Sequence, residues 1–579
     1  MIDINYINKN LIIGKTIEVD GTHIKAELDS NINELSRVYN SEVYSIGQYG
    51  SIIKSYFGNK ILYMYVTRLR MKSEIEAEKG VIISPENDSR ILEADLFGEG
   101  SWNQRVGTLS FERGISVYPL PLQEIFLTTE AELRAIYSSN TSSSVKIGDY
   151  VGTSNIPCYV DIDEFFSKHT AVLGSTGSGK SATVSAIIHA VLSYKDSINV
   201  EDNQEVFWHP HIVILDPHNE YSTAFPTATR LVSDEGTLKL PYWLMNYQEL
   251  VDLFIGKTEF QATSQTNILK MALLEAKKNG CELINIEEDS ITIDSPVPFS
   301  LDKLVELIKA DMPSQASKQD KHWGIVNKIE VLKNDSRLNF LMQNWSDGLD
   351  EIVDIVKQFI SIDNSLKIID LSGIPNDVAG IVSSTISRLL FMYKLWETEI
   401  QRKEDPILLI CEEAHRYVPN TGEAEYAAAQ QAIKRIAKEG RKYGLGLMLI
   451  SQRPSEIEST VLSQCNSWIV MRLTNSIDQT YVVKFLPDSL NNMGNILSSL
   501  RRREALVIGQ GVSLPSRILV NLLNKNQLPK SNDISFIDGW KSGVNNPSKI
   551  IEVIQRWRSQ MREVGEGASE MNDSGDVFE

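Results

Sequence analysis

Cysteine is scarce in this sequence, and a long apolar run is missing. Four cysteines occur, and they lie far apart: Cys158, Cys281, Cys411 and Cys465. This spacing excludes a zinc knuckle and argues against a disulfide framework. No stretch approaches the ~18 uninterrupted apolar residues of a membrane span, and the opening MIDINYINKN lacks the apolar segment of a signal peptide. We therefore expect a cytoplasmic protein with no membrane partner.

Positive charge is also in deficit. The chain has 57 Lys and Arg against 76 Asp and Glu, a formal net charge of −19. A protein that binds nucleic acid over its whole outer surface would be basic, so any such contact must be confined to a groove or channel. The 579 residues exceed one ordinary core and indicate about two to four domains.

The N-terminal region, residues 1–162, is rich in short β-prone runs broken by turns. Examples are IIGKTIEV, HIKAEL, KILYMYVTRL and VGTLSF. Many short strands at this spacing predict a small β-barrel or sandwich. We expect a small barrel that contributes no nucleotide motif.

Beyond the barrel the pattern changes to buried strands alternating with helices. The apolar runs HTAVLG, HIVILD, LKIIDLS, ILLICE, LGLMLIS, SWIVMRL and EALVIG are typical of a parallel sheet covered on both faces. They predict an α/β core at 163–241 and 365–520, with a helical insertion at 242–364. A helical extension is expected at 521–564, and the acidic 565–579 is predicted to be disordered.

A glycine-rich segment between a strand and a helix carries the clearest chemistry. GSTGSGKS fits the P-loop pattern at every fixed position, after the strand TAVL and before SATVSAIIHAVL. Its backbone N–H groups can surround phosphates, Lys180 can neutralise the β and γ oxygens, and the Ser181 hydroxyl can ligate Mg²⁺. The predicted cofactors are ATP and Mg²⁺, and the predicted nucleotide-binding residues are Gly174, Ser175, Thr176, Gly177, Ser178, Gly179, Lys180, Ser181 and Ala182.

Two acids end another buried strand, ILLIC. A P-loop site needs a carboxylate for the metal shell and usually a second to activate water. Glu412 suits the metal shell and Glu413 suits the base; the alternative is an ordinary solvated strand end.

At the end of LGLMLIS, Gln452 is either a sensor of the γ-phosphate or simply exposed. The run Arg501, Arg502 and Arg503 could face DNA or a subunit interface, or be a solvated turn.

Five ordered motifs resemble the HerA-type hexameric DNA translocases, relatives of FtsK within the RecA-like P-loop class. They are HTAVLGSTGSGKSATV, ILDPHNEY, LLICEEAH, EGRKYGLGLMLISQRPSEI and RREALVIGQGVSLP. The resemblance covers the core on both sides of the insertion, and the β-rich N-terminus is similar to the small barrel of that family.

The resemblance implies roles for individual residues. It assigns Lys180 and Ser181 to phosphate and metal, Glu413 to water activation, and Arg441 to charge stabilisation in cis. It also points to Lys168 as a basic group that reaches a neighbouring subunit's site, where the family more often has arginine. Asp216, in ILDPHNEY, would position the metal shell or cap the next turn.

The leading hypothesis is an ATP-driven double-stranded DNA translocase or helicase that acts as a homo-hexameric ring. The resemblance also implies a separate nuclease or other effector protein encoded nearby, in DNA end processing or phage defence. Two alternatives remain: a remodeller of protein or RNA with the same core, and an assembly platform in which ATP only fixes the ring.

Overall fold

The chain divides into two compact units. The computed structural model describes residues 8–30, 32, 35–39, 42–84, 88–103, 108–137, 143–151, 156–194, 208–256, 259–346, 348–360, 363–420, 427–485, 494, 496–530, 535–542 and 547–560. The first unit comprises Met1–Trp208 with Met448–Asn524, and the second His209–Leu447 with Lys525–Glu579. The predicted disordered tail, 565–579, lies outside the described residues.

The described strands are concentrated before residue 162, and most of the later ones coincide with the apolar runs of the sequence. They are β1 Ile12–Asp20, β2 His23–Leu28, β3 Ser36–Tyr39, β4 Glu42–Ser45, β5 Ile52–Phe57, β6 Lys60–Met71, β7 Arg90–Asn103, β8 Thr108–Arg113, β9 Glu124–Leu127, β10 Ser144–Tyr150, β11 Pro157–Asp161, β12 Thr170–Leu173, β13 His211–Asp216, β14 Thr229–Val232, β15 Leu366–Asp370, β16 Ile407–Cys411, β17 Leu445–Ser451, β18 Ser467–Val470, β19 Glu504–Gly509 and β20 Ser516–Val520.

The helices fill the middle of the chain. They are α1 Lys72–Glu78, α2 Glu130–Tyr137, α3 Ile162–Phe166, α4 Lys180–Leu192, α5 Tyr247–Phe254, α6 Glu259–Leu283, α7 Leu301–Ala310, α8 Asp320–Lys333, α9 Asn339–Met342, α10 Ile352–Ile360, α11 Asn376–Trp396, α12 Gln401–Glu404, α13 Ala427–Glu439, α14 Ser459–Leu462, α15 Ser476–Val483, α16 Phe536–Ser542 and α17 Pro547–Ser559.

A closed barrel forms the N-terminal part of the first unit. Its strands follow the order β2-β1-β9-β5-β6-β7, and β7 also pairs with β2, which closes the ring; β8 adds to β7. Its core includes Ile13, Leu62 and Leu92, all fully buried. The predicted small barrel is confirmed, and closure leaves no free edge among these six strands.

The barrel strands end at Leu127, well before the predicted boundary at residue 162. The next two strands, β10 and β11, belong to the second sheet of the same unit, because β10 pairs antiparallel with β20. That sheet runs β11-β10-β20-β19-β18-β12-β17. Strand β12 lies parallel to both β17 and β18.

Part of this sheet is antiparallel rather than parallel. Strand β19 is antiparallel to both β18 and β20. The connection 510–515 between β19 and β20 is too short for the crossover that parallel neighbours require. The apolar run EALVIG is therefore a buried strand, as expected, but with an antiparallel partner on each side.

The second unit holds a parallel sheet of order β16-β13-β15-β14. Its register places Asp216 opposite Asp370, and Leu215 opposite Cys411. The carboxyl ends of these strands consequently lie at one edge, where the acidic side chains collect. Between β14 and β15 the described residues form helices α5 to α10.

Helix α11 is the one helix of the described residues whose length and apolar composition would suffice to cross a membrane. Within the fold, 78% of its apolar window is buried.

Candidate active site

A glycine-rich loop joins β12 to α4 in the first unit. All four residues of β12 are buried, and α4 begins at Lys180 with Gly179 as its N-cap. Gly177 and Gly179 have φ angles of 72° and 98°, in the left-handed region that favours glycine. The loop therefore turns its backbone sharply just before the helix N-terminus, where N–H groups and the helix dipole attract anions.

The start of this loop is anchored on both sides. The N–H of Gly174 donates to the carbonyl of Ser451 at 3.2 Å, and the N–H of Ser175 donates to the carbonyl of Arg472 at 2.8 Å. A Cβ on Gly174 would lie 2.6 Å from Ser178 Oγ and 2.8 Å from Met471 Cβ. Only glycine fits at position 174 without displacing a neighbour.

Two side chains of the loop suit a bound phosphate. Lys180 is buried, with 8% of its surface exposed. The Ser178 hydroxyl is buried and has no hydrogen-bond partner within the described protein. An unsatisfied buried hydroxyl beside a buried cation indicates a place for an external acceptor, and phosphate oxygens are acceptors. Ser181 and Ala182 continue the loop into the first turn of α4.

Gln452 lies beside this loop. It follows β17, and its side-chain Oε1 accepts a hydrogen bond from the Thr176 hydroxyl at 2.5 Å. The structure thus brings together two residues that are remote in the chain and that the sequence assigned to one site. The role of Gln452 as a sensor stays a prediction.

Lys168 lies between α3 and β12, a short distance before the loop. Its ammonium group donates to the carboxylate of Glu164 and, at 2.7 Å, to the side-chain oxygen of Gln510. Both acceptors belong to the same unit, so Lys168 is held in place by its own chain. Action in a neighbouring subunit stays a prediction.

An acidic edge forms at the carboxyl ends of the parallel strands in the second unit. Asp216 is fully buried, and its carboxylate accepts the N–H groups of His218 at 3.2 Å and Tyr221 at 3.0 Å. The Tyr221 hydroxyl donates to Glu412 Oε2 at 2.7 Å. Burial raises the pKa of Asp216 to about 6, against the opposing effect of these backbone donors.

Of the two expectations for Asp216, the geometry favours capping the next turn. Both of its oxygens accept backbone N–H groups, as in an aspartate that caps a turn, and its place in the metal shell stays a prediction. Within the part of the chain that the structure describes, no group of three or more His, Cys, Asp or Glu side chains could hold a metal ion. Glu412, Ser181 and Asp216 stay the predicted metal residues.

Glu413 has a strained backbone. Its φ is 53°, in the left-handed region, which is uncommon for a residue other than glycine. The side chain is 10% exposed, and its Oε2 lies 3.3 Å from Nδ1 of His415. Strain of this kind clusters at functional sites, because the surrounding fold must hold the residue in place.

Arg441 lies in the second unit, in the turn Gly440–Tyr443 that follows α13. Its side chain is exposed, and Gly444 ends the turn in a left-handed conformation. The predicted role in charge stabilisation needs an accessible guanidinium, and this position provides one.

Sequence reasoning missed two residues of the acidic edge, Tyr221 and His415. Tyr221 connects the loop after β13 to Glu412, and His415 adjoins Glu413. Both stand inside motifs that the sequence had already marked, ILDPHNEY and CEEAH. A tyrosine five residues after an aspartate gives no local signal of a contact with a strand almost 200 residues away.

The loop and its context define a class. A glycine-rich turn between a buried parallel strand and a helix, with a buried lysine at the helix start, is the phosphate site of the P-loop nucleotide-binding proteins. Residues 145–390 match the family described as the helicase HerA central domain. The expected resemblance is therefore confirmed: the chain is a P-loop ATPase, and its residues 145–390 resemble the central domain of the helicase HerA.

Relatives of known name extend this similarity over most of the chain. The DNA double-strand break repair helicase HerA of Pyrococcus furiosus is 27% identical over 481 residues, which covers 74% of this chain and 79% of that protein. The protein of the same name from Saccharolobus solfataricus is 26% identical over 433 residues, covering 73% and 76%.

Solved structures with some similarity include VirB4 of Thermoanaerobacter pseudethanolicus. It has a TM-score of 0.44 and 14% identity, covering 67% of this chain and 98% of that one. The plasmid coupling protein TrwB in complex with ADP and Mg²⁺ has a TM-score of 0.45 and 13% identity, covering 69% and 93%.

Proposed function

We propose that this chain is an ATP-driven double-stranded DNA translocase or helicase that works as a homo-hexameric ring in the cytoplasm. The observation that carries the proposal is an intact phosphate loop inside a HerA-type central domain at residues 145–390. The relatives from Pyrococcus furiosus and Saccharolobus solfataricus bear the name of DNA double-strand break repair helicases, which supports duplex DNA as the substrate.

In the proposed site the loop binds the phosphates of ATP. Lys180 offsets the charge of the β- and γ-phosphates, and the backbone turn at Gly177 and Gly179 supplies N–H donors. Ser181 and Glu412 are the residues that would hold Mg²⁺. The ion, when bound, neutralises charge on the β- and γ-phosphates.

Hydrolysis requires a base for the attacking water, and Glu413 is the candidate. Gln452 would orient that water or sense the γ-phosphate from beside Thr176, and Arg441 would stabilise charge that develops on the γ-phosphoryl group. Asp216 acts indirectly, because it caps the turn that carries Tyr221, and Tyr221 holds Glu412.

The proposed ring works with a separate nuclease or other effector, in DNA end processing or in phage defence. The barrel has no nucleotide motif, and repeated copies of it on one face of a ring would offer a docking surface. Deletion of residues 1–127 tests this, because that cut removes the barrel strands and leaves β10 and β11 with the second sheet. A truncated ring that still retains its partner would place the contact elsewhere.

ATP turnover with and without double-stranded DNA tests the proposed substrate. Because the net charge is −19, contacts with DNA must be confined to basic positions, as in a channel. The rate should rise with duplex DNA, and the stimulation should fall steeply with salt, since each phosphate contact releases counterions. Lys180→Ala is the inactive control. A rate indifferent to DNA at low and moderate salt would favour a protein remodeller or an assembly platform.

A further inference from the structure

Lys168 is fixed more firmly than a surface lysine usually is. Its ammonium group has two acceptors, the Glu164 carboxylate one helical turn earlier and the Gln510 side-chain oxygen at 2.7 Å. Only 16% of the Lys168 side chain is exposed. Gln510 belongs to the turn between β19 and β20, so the second acceptor comes from a distant part of the chain.

We propose that Glu164 and Gln510 are positioning residues, which fix Lys168 for its action on the nucleotide of a neighbouring subunit. This inference rests on the proposed function. An ammonium group has three N–H donors, and two acceptors leave one donor for a phosphate oxygen. A lysine stem is flexible, and ordering it costs conformational entropy at the moment of use. The two acceptors already order the Lys168 side chain in the resting protein, so less conformational entropy is lost when it binds phosphate.

The arrangement also bears on the choice of lysine rather than arginine. Arginine presents a rigid fork that is already organised for phosphate, whereas lysine is a point charge on a mobile stem. A lysine that is held by two acceptors has part of the order that arginine has by itself. The contacts of Glu164 and Gln510 therefore give Lys168 some of the fixed orientation that a guanidinium group has because it is planar and rigid.

The turn that carries Gln510 is packed tightly against α3. The carbonyl of Gly511 accepts the N–H of Asp161 at 2.9 Å. A Cβ on Gly511 would lie 2.8 Å from the ring of Phe165, which is fully buried. These contacts join the turn to α3 and hold Gln510 close to Lys168.

The barrel holds the other side of the same turn. The Arg113 guanidinium, at the end of β8, donates to the carbonyls of Val512 and Ser513. The Tyr65 hydroxyl of β6 donates to the carbonyl of Pro515 at 3.1 Å. The barrel thereby helps to hold the turn that carries Gln510.

Steady-state kinetics of the full-length chain with DNA tests the positioning role. Glu164→Ala and Gln510→Ala each remove one acceptor and should each lower kcat by about tenfold, because Lys168 must then be ordered anew in each cycle. KM for ATP should stay within about twofold, since ground-state binding belongs to the loop. Glu399→Ala is the matched control, because Glu399 pairs with Lys403 at the same spacing on an exposed surface, and kcat should not change.

Two backgrounds separate positioning from a structural role. In Lys168→Ala, itself slow, Gln510→Ala should cause no further loss, because the group to be positioned is gone. In Lys168→Arg the loss caused by Gln510→Ala should shrink to about twofold, because arginine needs less ordering. Arg113→Gln should lower kcat when introduced into the wild type, because Arg113 holds the turn that carries Gln510. Introduced into Lys168→Ala, it should cause no further loss of kcat. Gln510→Glu retains an acceptor of the same length and should keep nearly full activity, which covers the case of a poorly folded alanine variant.

The outcomes distinguish this inference from the proposed function. If Lys168→Ala is slow but Glu164→Ala and Gln510→Ala keep full kcat, Lys168 acts without them and the positioning role is wrong. The same conclusion follows if Gln510→Ala costs as much in Lys168→Ala as in the wild type. If Lys168→Ala itself keeps full kcat, the action of Lys168 on a neighbour is wrong, and this inference falls with it.

Discussion

Glycine at position 174 is a steric requirement rather than a matter of backbone freedom. A Cβ at position 174 would lie 2.8 Å from the Cβ of Met471. Rotation of the Met471 side chain cannot relieve this contact, because a Cβ is bonded directly to the backbone. We predict that Gly174→Ala weakens ATP affinity by about tenfold or more, because the loop must leave the conformation in which its N–H groups surround the phosphates. Gly177→Ala is the control. An alanine Cβ at position 177 would have no neighbour within 4 Å, and the left-handed φ of an alanine costs only about 1 kcal/mol. Binding titrations of both variants check this, and equal losses would contradict it.

Glu413 is the residue whose substitution separates binding from chemistry. We predict that Glu413→Gln binds ATP as the wild type does but hydrolyses it about 10²-fold more slowly, as expected for loss of a positioned base. Lys180→Ala should lose turnover altogether. Nucleotide affinity and single-turnover hydrolysis are measured separately. Near-normal hydrolysis by Glu413→Gln would move the base role to Glu412.

The phosphate loop was predictable because all of its parts are contiguous in sequence. The acidic edge was predictable only in part. Glu412 and Glu413 follow an apolar strand and could be located, whereas the contact of Tyr221 with Glu412 depends on the pairing of β13 with β16. The Gln510 acceptor of Lys168 was equally hidden, because Gln510 reaches it through the packing of a distant turn.

At the scale of elements, helix α6 contains a fully buried lysine, Lys277. Its ammonium group donates to the carbonyls of Ile293 and Ser295, each at 2.7 Å. Burial lowers the pKa of Lys277 to about 8, with Asp294 opposing the shift. The unfolded chain therefore holds a proton that the folded chain lacks between about pH 8 and about pH 10.5, and the free energy of unfolding rises over that window.

We predict that Lys277→Met abolishes this rise, which amounts to at most about 3 kcal/mol. Urea unfolding at about pH 8 and about pH 10 checks it, with the difference between variant and wild type as the readout. Lys278→Met is the matched control on the same helix, because Lys278 pairs with Glu288 at 2.6 Å on the surface. Parallel pH profiles for the wild type and Lys277→Met would contradict the account.

Strands were predictable where the apolar run was continuous, as in β12, β13, β16 and β17. Strands β14 and β20 were not predicted, because their sequences TRLV and SRILV are short and contain polar residues. The partner of a strand was harder to predict than the strand itself. Strands β10 and β11 share the composition of the barrel strands, and only tertiary pairing assigns them to the sheet that contains the phosphate loop.

At the scale of the whole molecule, the proposed ring makes a prediction about mixed assemblies. If Lys168 acts in a neighbour's site, each site needs Glu413 from one subunit and Lys168 from the next. Lys168→Ala and Glu413→Gln subunits should each be slow alone, and mixing should restore part of the activity at interfaces that carry neither lesion. Native mass measurement should show a hexamer. An active monomer would contradict the ring, and absence of rescue would remove Lys168 from the neighbour's site.

The central claim is that ATP hydrolysis in this chain drives movement along duplex DNA. Displacement of a third strand from a short triplex on a long duplex reports such movement directly, because a protein that tracks the duplex must remove it. We predict displacement by the wild type with ATP and Mg²⁺, in proportion to the ATP consumed, and none by Glu413→Gln or with a non-hydrolysable analogue. Active, DNA-stimulated hydrolysis that never displaces the third strand would contradict the account.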